Sequence, residues 1–317
     1  MKVGNIEIKG KVIIAPLAGY TNSVYRQLMK QAGASLVYTE MISAKGLLYD
    51  NDKTWDLTKI GPIEHPVSLQ LFGGEAEDLS KAAKLVDENT SCDIIDINLG
   101  CPVKKVLKAQ SGAYLLQDVV KVEEIVSSVV KAVNKPVSVK IRAGWDHKHI
   151  NCDEIAKACE RAGASLIAIH GRTKTDLYSG KVNLDYIKLV KESVSIPVIG
   201  NGDIKSLEDA INMINYTGVD AIMIGRGTFG NPWLVTEIDA YFNNKPYTPP
   251  TNEEKINTML LHLEKLIELK GEAIAILEMR SLASWYVKGF SNAKEFRQKL
   301  RNIKSYDEFK EIVKVLM

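Results

Sequence analysis

The segments AGASLVY (residues 32–38) and AGASLIA (residues 162–168) repeat one local pattern along the chain. In both, a glycine follows a helical pattern and an apolar run of β-forming residues begins shortly afterwards. This order is typical of a helix C-cap that leads into a parallel strand. A looser copy, TGVDAIM, occupies residues 217–223. The repeat therefore predicts strands that alternate with helices.

Eight short apolar runs of this kind occur in the first 230 residues. They are VIIAPL at 12, LVYTE at 36, PVSLQLF at 66, IIDINLG at 94, PVSVKI at 136, LIAIHG at 166, PVIGNG at 197 and AIMIGRG at 221. Helical patterns separate them, which predicts parallel β-α-β units. Eight such units favour an α/β fold of the closed (β/α)8 TIM-barrel type over a doubly wound sheet.

The pattern changes near residues 241–251, YFNNKPYTPPT, whose prolines and polar residues are typical of a linker. Four amphipathic helices are predicted beyond this segment. We therefore expect two domains: a TIM barrel over residues 1–243 and a small C-terminal all-α helical bundle over residues 244–317.

The composition is that of a globular protein, with 317 residues, 45% hydrophobic residues, 25% charged residues and a formal net charge of +2. Because the overall charge is small, any surface for nucleic acid must be local. The sequence lacks a signal-peptide core and an apolar stretch of about 18 residues, which predicts a cytoplasmic protein without a membrane segment. The four cysteines form no CxxC pair and have no histidines nearby at metal-ligand spacing, so we expect neither a metal site nor a disulfide framework.

Strand alternation predicts which side chains point into the barrel, because residues i and i+2 share a face. In PVSVKIR (residues 136–142), the valines and the isoleucine share one face, while Ser138, Lys140 and Arg142 share the other. The apolar face should pack against helices, which leaves the polar face inward. The polar residues expected at the C-terminal mouth, where barrel active sites lie, are Glu40, Gln70, Asn98, Lys140 and His170.

A single polar residue at a strand end is more often structural than functional, but five from five strands favour a ligand site. Lys140 is the most informative of them. Burial of an unpaired ammonium is costly, so this lysine predicts an anionic ligand or a lowered pKa.

Glycine-rich turns follow the last two strands, GNGDI at residues 200–204 and GRGTFGNP at residues 225–232. Loops after strands 7 and 8 of TIM barrels frequently bind phosphate, so a phosphorylated ligand is expected. The second turn also spells GxGxxG, but a strand with a terminal acid does not follow about 20 residues later, as a dinucleotide-binding fold requires. We interpret it as a monophosphate site capped by Arg226.

The order of motifs resembles that of the bacterial tRNA-dihydrouridine synthases, and most of all the B branch of that family. The motifs are APLAGYTNSVYR, QLFGG, NLGCPVKKV, VKIRAG, IHGRT, NGDI and IGRG, followed by MRSLASWYVKG in the helical region. The resemblance covers nearly the whole chain. It implies an FMN-dependent oxidoreductase that reduces the C5–C6 double bond of specific tRNA uridines with NADPH or NADH, with FMN in the barrel and tRNA on the helical domain.

The resemblance also implies roles for individual residues. The expected flavin contacts are Pro16, Leu17, Ala18, Gln70, Lys140, His170, Asn201, Gly202, Asp203, Gly225 and Arg226. Leu17 stands where the family usually has methionine, a change between apolar side chains of similar volume. Lys140 would stabilise the negative charge of the reduced flavin ring, and Asn98 would orient the uracil.

Cys101 is the implied active-site acid, which would protonate C5 of the uracil as hydride reaches C6. An acid must hold its proton at the working pH. A thiol with an ordinary pKa of about 8.5 does so at neutral pH.

Residues 280–304 carry the local positive charge that an RNA surface needs, with seven lysines and arginines and one glutamate. Trp285 and Tyr286 are expected to add stacking surface. The predicted tRNA contacts in this segment are Arg280, Trp285, Lys288, Arg297 and Arg301.

Three lysines follow the candidate acid: Lys104, Lys105 and Lys108. They would lie where the RNA backbone enters, although a solvated loop is a fair alternative for each.

Other classes of function stay open from the residues themselves. The chain could be a different barrel enzyme. One alternative is a dihydroorotate-dehydrogenase-like flavoenzyme that acts on a free pyrimidine, and another is a Schiff-base aldolase that uses Lys140 on a phosphorylated sugar. A non-catalytic RNA-binding or chaperone protein on a barrel scaffold would carry the same basic segment.

Overall fold

The structure is a computed structural model that describes residues 1–316. A short antiparallel hairpin, β1 (Lys2–Val3) and β2 (Ile6–Glu7), comes first. The eight parallel strands of the main sheet are β3 (Val12–Ile14), β4 (Val37–Ser43), β5 (Val67–Phe72), β6 (Ile94–Asn98), β7 (Val137–Arg142), β8 (Leu166–His170), β9 (Val198–Asn201) and β10 (Ala221–Ile224). Each coincides with one of the eight predicted runs.

The sheet closes into a barrel. Strands β4 to β10 pair with their neighbours in chain order, and β10 pairs with β3. The remaining edges meet at a parallel bridge between Ile13 and Leu36. The N–H of Ile14 donates to the Leu36 carbonyl at 3.0 Å, and the N–H of Ser35 donates to the Val12 carbonyl at 2.7 Å. The predicted α/β barrel is therefore confirmed.

Helices connect the strands. They are α1 (Ser23–Gln31), α2 (Ala44–Leu48), α3 (Asp52–Asp56), α4 (Ala76–Asn89), α5 (Lys104–Lys108), α6 (Val119–Ala132), α7 (Cys152–Arg161), α8 (Leu184–Ser193) and α9 (Leu207–Thr217). The glycines of the repeated motif, Gly33, Gly163 and Gly218, have φ values of 105°, 96° and 71°. They reverse the chain after α1, α7 and α9 in a conformation that other residues rarely adopt, as the repeat predicts.

The barrel interior has an apolar layer and, nearer the C-terminal ends of the strands, a polar layer. A buried cluster joins side chains from non-adjacent strands, including Ile13, Ile94 and Ile199. Since these strands lie on different sides of the barrel, the cluster fills its centre. Asp96 and Asn201 occupy the same faces two residues further along β6 and β9, so the polar layer lies nearer the C-terminal ends of the strands.

A second compact unit begins at Arg226, whereas the first spans Met1–Gly225. After a short 3-10 turn (Arg226–Thr228), its helices are α10 (Trp233–Phe242), α11 (Asn252–Lys270), α12 (Glu272–Tyr286), α13 (Ala293–Leu300) and α14 (Tyr306–Val313). The last four correspond to the predicted helices. No helix among residues 1–316 is long and apolar enough to cross a membrane.

The second unit starts earlier than residue 244, the boundary that the linker composition predicts. The reason is aromatic packing within the unit. The rings of Phe229 and Trp285 lie 5.9 Å apart, and those of Trp233 and Tyr286 lie 6.3 Å apart. These contacts join the segment after β10 to α12.

Candidate active site

The loop after β6 holds Cys101 at the C-terminal mouth of the barrel. The side-chain oxygen of Asn98, the last residue of β6, accepts hydrogen bonds from the N–H groups of Gly100 at 3.1 Å and Cys101 at 2.9 Å. The Cys101 carbonyl accepts from the Ala113 N–H at 3.1 Å. Gly112 passes so close that a β-carbon there would lie 2.8 Å from this carbonyl oxygen. The Cys101 loop is therefore held by Asn98 on one side and by the segment of Gly112 and Ala113 on the other.

Cys101 differs from the other three cysteines in exposure. It is half-buried, whereas Cys92, Cys152 and Cys159 are buried. Burial raises the pKa of the Cys101 thiol, and the positive charges of Arg142 and Lys140 oppose that rise. The thiol therefore keeps its proton at neutral pH, and the residue retains some exposed surface.

Arg142 fastens the same loop from the neighbouring strand. Its Nε donates to the Gly100 carbonyl at 2.8 Å, and its Nη1 donates to the carbonyls of Thr173 and Leu177 at 2.8 and 2.9 Å. The buried guanidinium thus ties the Cys101 loop to the loop after β8. Sequence reasoning placed Arg142 inward but gave it no role, and the alternation in β7 was the signal that could have found it.

Lys140 lies beside Asn98 in the register of β6 and β7. Its Nζ donates to the Asn201 side-chain oxygen at 3.2 Å, and the Asn201 amide donates to the Met223 carbonyl at 2.7 Å. Burial, together with the nearby Arg142 charge, lowers the pKa of Lys140 to about 8. The sequence predicts that this lysine has either an anionic ligand or a lowered pKa. The lowered pKa agrees with the second alternative.

A buried carboxylate lies below the mouth, and sequence reasoning gave it no role. Asp96 Oδ2 accepts from Gln70 Nε2 at 2.7 Å, and Asp96 Oδ1 accepts from Ser138 Oγ at 2.5 Å. Gln70 Oε1 in turn accepts from Asn98 Nδ2 at 2.8 Å. Burial raises the pKa of Asp96 to about 6. Both ends of the Asn98 amide are therefore engaged within the protein, and its contact with uracil stays a prediction.

The loops after β8 and β9 are joined by Arg172. Its Nη2 donates to Asp203 Oδ2 at 2.6 Å, and the N–H of Val182 donates to the same oxygen at 3.0 Å. Although burial acts in the opposite direction, these hydrogen bonds lower the pKa of Asp203. Arg172 Nη1 also lies 3.4 Å from Nε2 of the buried His170. The Asp203 carboxylate thus orders the loop, so an anionic ligand would meet its backbone rather than its side chain.

The loop after β3 approaches the end of β10. A β-carbon on Gly225 would lie 3.7 Å from the side chains of both Ala15 and Leu17. Pro16 and Leu17 are half-buried and Ala18 is exposed. Most of the predicted flavin contacts of the first unit end a strand or follow its C-terminal end, whereas Gln70 and Lys140 lie two residues before the ends of β5 and β7. Gln70 is fully buried and both ends of its amide are bonded within the protein, so its contact with the flavin stays a prediction.

Glu40, a further predicted mouth residue, has a structural contact. Its Oε2 accepts from the Gly19 N–H at 2.5 Å and so fixes the loop after β3.

The third glycine of the GxGxxG sequence has a packing role. A β-carbon on Gly230 would lie 2.4 Å from the backbone nitrogen of Tyr286, and the φ of Gly230 is 56°. Only glycine permits this approach to α12. Arg226, at the start of the second unit, is exposed, and its contact with phosphate stays a prediction.

The basic segment of the second unit is mostly exposed. Trp285 is 48% exposed, and Lys288, Arg297 and Arg301 are also exposed. Arg280 is half-buried and donates from Nε to the Ile303 carbonyl at 3.1 Å, so its guanidinium supports the helical packing.

The expectation that Tyr286 adds stacking surface is wrong. This side chain is buried, and its hydroxyl lies 3.0 Å from Nδ1 of the buried His262. Adjacent residues of a helix point in different directions, so Trp285 faces outward while Tyr286 packs in the core.

Lys104, Lys105 and Lys108 are exposed on α5, next to the Cys101 loop. Among residues 1–316, His, Cys, Asp and Glu side chains form no group that could hold a metal ion.

Comparison with known proteins adds a family assignment. The family model described as dihydrouridine synthase matches residues 13–316. A tRNA-dihydrouridine synthase B from Vibrio parahaemolyticus is 42% identical over 300 residues, which cover 94% of this chain and 92% of the relative. A probable tRNA-dihydrouridine synthase from Rickettsia bellii is 37% identical over 301 residues, which cover 94% of this chain and 91% of the relative.

Solved structures of low sequence identity share the fold. A variant of NCR from Zymomonas mobilis has a TM-score of 0.55 at 16% identity and aligns over 80% of this chain and 93% of its own. The structure of TcOYE with pHBA has a TM-score of 0.57 at 16% identity, over 80% of this chain and 94% of its own.

Proposed function

The chain belongs to the dihydrouridine synthase family, and we propose that it is an FMN-dependent enzyme that reduces the C5–C6 double bond of uridines in tRNA with NADPH or NADH. The observation that carries this proposal is the placement of Cys101. Asn98 and Arg142 hold the backbone of the Cys101 loop at the barrel mouth, burial raises the pKa of the thiol, and the charge of Lys140 acts on the same thiol.

The residues at the mouth fit FMN. Lys140 is a largely buried cation whose pKa is lowered to about 8, so an anionic ring edge beside it would relieve an electrostatic cost. His170 and Asn201 add polar atoms at neighbouring strand ends, where a flavin ring needs hydrogen-bond partners. Gln70 already bonds to Asp96 and Asn98, so it would meet the ring only through the remaining N–H or lone pair of its amide.

The phosphate end of FMN would lie on the turns after β9 and β10. Gly202 and Gly225 have no side chain of their own, which lets a phosphate approach the backbone of these turns, and Arg226 follows directly in the chain. The carry-over of these contacts is supported by the family's match to residues 13–316. The chemistry that FMN supplies when bound is hydride transfer to C6 of the uracil ring.

Cys101 completes the reduction by donating its Sγ proton to C5. The raised pKa of the thiol favours the protonated form that an acid needs. Once the proton has left, Lys140 and Arg142 stabilise the thiolate, because both charges act on this sulfur in the direction of ionisation. The half-buried thiolate can then regain a proton from water. Hydride at C6 and a proton at C5 together account for the two hydrogen atoms that the product gains.

The tRNA substrate would present its uridine as a base splayed out of the stack, since the acid lies inside the barrel mouth. Lys288, Arg297 and Arg301 supply exposed positive charge on the helical unit, and Trp285 supplies exposed aromatic surface. A tRNA substrate and a nicotinamide reductant agree with the expected cytoplasmic location. Family membership decides against the aldolase and the non-catalytic alternatives.

The test is the variant Cys101→Ala, with Cys92→Ala as the matched control that removes a buried thiol. We expect dihydrouridine formation in tRNA, measured by mass spectrometry, to fall by about 10² to 10⁴-fold in Cys101→Ala. Bleaching of the flavin by NADPH and the affinity for tRNA should not change, and the control should resemble the wild type. Full turnover in Cys101→Ala, or loss of flavin binding, would show that the role of Cys101 is misassigned.

A further inference from the structure

Asp96 is a carboxylate in the barrel interior that the proposed reaction does not use directly. Its side chain is fully buried, and both of its oxygens accept hydrogen bonds, from Gln70 Nε2 and Ser138 Oγ. The Lys140 charge opposes the rise in the pKa of Asp96, and the Asp96 carboxylate in turn helps burial to raise the pKa of Tyr38. Burial of a carboxylate costs free energy of folding, and the two donors offset part of that cost. A role for the carboxylate would explain why it is buried here.

The hydrogen bonds lead from this carboxylate to the candidate acid. Gln70 joins Asp96 to Asn98, with distances of 2.7 Å on one side and 2.8 Å on the other. Asn98 then joins Gln70 to the backbone N–H groups of Gly100 and Cys101. Two side-chain amides therefore separate the carboxylate from the loop that carries the thiol.

The direction of each amide is determined by its two ends. An ionised carboxylate only accepts hydrogen bonds, so Gln70 must present its NH2 group to Asp96 and its oxygen to Asn98. Asn98 must then present its NH2 group to Gln70 and its oxygen to the loop. Backbone N–H groups only donate, so this arrangement also satisfies the loop. If either amide were reversed, two donors or two acceptors would face each other in a buried site.

We propose that Asp96 is a positioning residue for Cys101, which orients the amides of Gln70 and Asn98 so that the Asn98 oxygen holds the Cys101 loop. The inference rests on the proposed function, in which Cys101 is the acid. Asp96 touches neither the thiol nor the expected substrate, and it acts through the two amides.

Ser138 provides a matched control, because it bonds to the same carboxylate but lies outside the chain of amides. Loss of its hydroxyl removes a bond from Asp96 and leaves the contacts of Gln70 and Asn98 in place. A general loosening of the barrel interior would affect Ser138→Ala and Asp96→Leu alike, whereas the proposed orienting role requires that only the second variant disturb the loop.

The test measures the reactivity of Cys101 on the purified protein, with tRNA and NADPH absent. Iodoacetamide is the probe, and peptide mass spectrometry follows the alkylation of Cys101. In Asp96→Leu, a loosened loop should expose the thiol and lower its raised pKa, and a fall of one pKa unit would increase the alkylation rate by about tenfold. Dihydrouridine formation should show a fall in kcat by about 10²-fold with an unchanged KM for tRNA, since a small misplacement of a reacting group has that scale of effect.

Asp96→Asn should rescue both measurements to within about twofold. Its oxygen can still accept from Gln70, and its NH2 group can donate to the Ser138 hydroxyl, which can also act as an acceptor. Equal damage in Asp96→Asn and Asp96→Leu would mean that the charge of Asp96 matters instead of its acceptor role, and the proposal would be overturned. Asp96→Ala removes the acceptor without adding volume and replaces Asp96→Leu if that variant does not fold.

An unchanged or slower alkylation rate in the variant without the acceptor would overturn the orienting role, as would an effect of the same size in Ser138→Ala. The alkylation rate does not depend on the reaction. A wild-type protein that failed to form dihydrouridine would therefore count against the proposed function. The alkylation rates would still test the orienting role of Asp96.

Discussion

Replacement of Lys140 by methionine should stabilise the flavin-free barrel at pH 7. Burial lowers the pKa of this lysine from 10.5 to about 8. Since one pKa unit corresponds to about 1.4 kcal/mol, the folded state disfavours the charged form by roughly 3 kcal/mol. The side chain keeps some exposed surface and a hydrogen bond to Asn201, which reduce the net effect. We therefore expect Lys140→Met to increase the free energy of unfolding by about 1 to 3 kcal/mol.

This gain should depend on pH in a defined direction. Between pH 8 and 10.5 the unfolded chain still binds the lysine proton, whereas folded Lys140 has released it. The wild type therefore becomes more stable relative to the variant as the pH rises through this range. The advantage of the variant should be complete below pH 8 and absent above pH 10.5.

Urea unfolding followed by far-UV circular dichroism, at several pH values from 7 upward, measures this difference. Lys84→Met, on the exposed face of α4, is the control and should change the free energy of unfolding by less than about 0.5 kcal/mol. Added FMN should reverse the order at pH 7. Flavin at 100 times its dissociation constant stabilises a binding protein by about 2.7 kcal/mol, and the variant should bind it more weakly. A variant less stable than the wild type at pH 7 without flavin would refute the reasoning.

Three further predictions follow from the geometry. The rate of dihydrouridine formation should decrease as the pH rises through the thiol pKa of Cys101. Because burial raises that pKa, a decrease that occurs below the ordinary thiol value of about 8.5 would contradict the assignment of Cys101 as the acid. Arg297→Ala and Arg301→Ala should each weaken tRNA binding and lower the slope of log K against log salt by about 1, whereas an unchanged slope in filter-binding titrations would move the RNA surface elsewhere. Glu64→Gln should lower the free energy of unfolding by about 3 to 5 kcal/mol, because Arg26 and Glu64 form a buried ion pair at 2.5 Å. A decrease of less than about 1 kcal/mol in urea unfolding would refute this role of the ion pair.

The strands could be predicted from the sequence because each carries its own local signal. In β7, alternation alone separates Val137 and Val139 from Ser138 and Lys140, and the structure retains that division in its register with β6. The glycines after α1 and α7 could be predicted for the same reason, since a helix end and a left-handed residue are local features.

Contacts between distant parts of the chain could not be predicted in this way. Gly230 matches a nucleotide-binding sequence pattern, yet its absent side chain is explained by the backbone of α12, more than 50 residues later. Likewise, alternation places Asp96, Gln70 and Asn98 on inward faces but does not say which atoms bond. Which side chains meet depends on the strand register, which the sequence does not specify.

The proposed role of Cys101 as the acid places two requirements on its surroundings, and these act against each other. An acid must hold its proton before the reaction, and burial at the barrel mouth favours the neutral thiol. The same acid must release the proton during the reaction, and the charges of Lys140 and Arg142 favour the thiolate. Because Arg142 also binds the Gly100 carbonyl, a movement of the loop away from β7 would weaken both the anchor and the electrostatic support. A displaced loop would also lose burial, and because burial has the larger effect on the thiol, the net change in its pKa should be a fall. The residues that fix the loop are therefore where variation should most affect the proposed proton transfer.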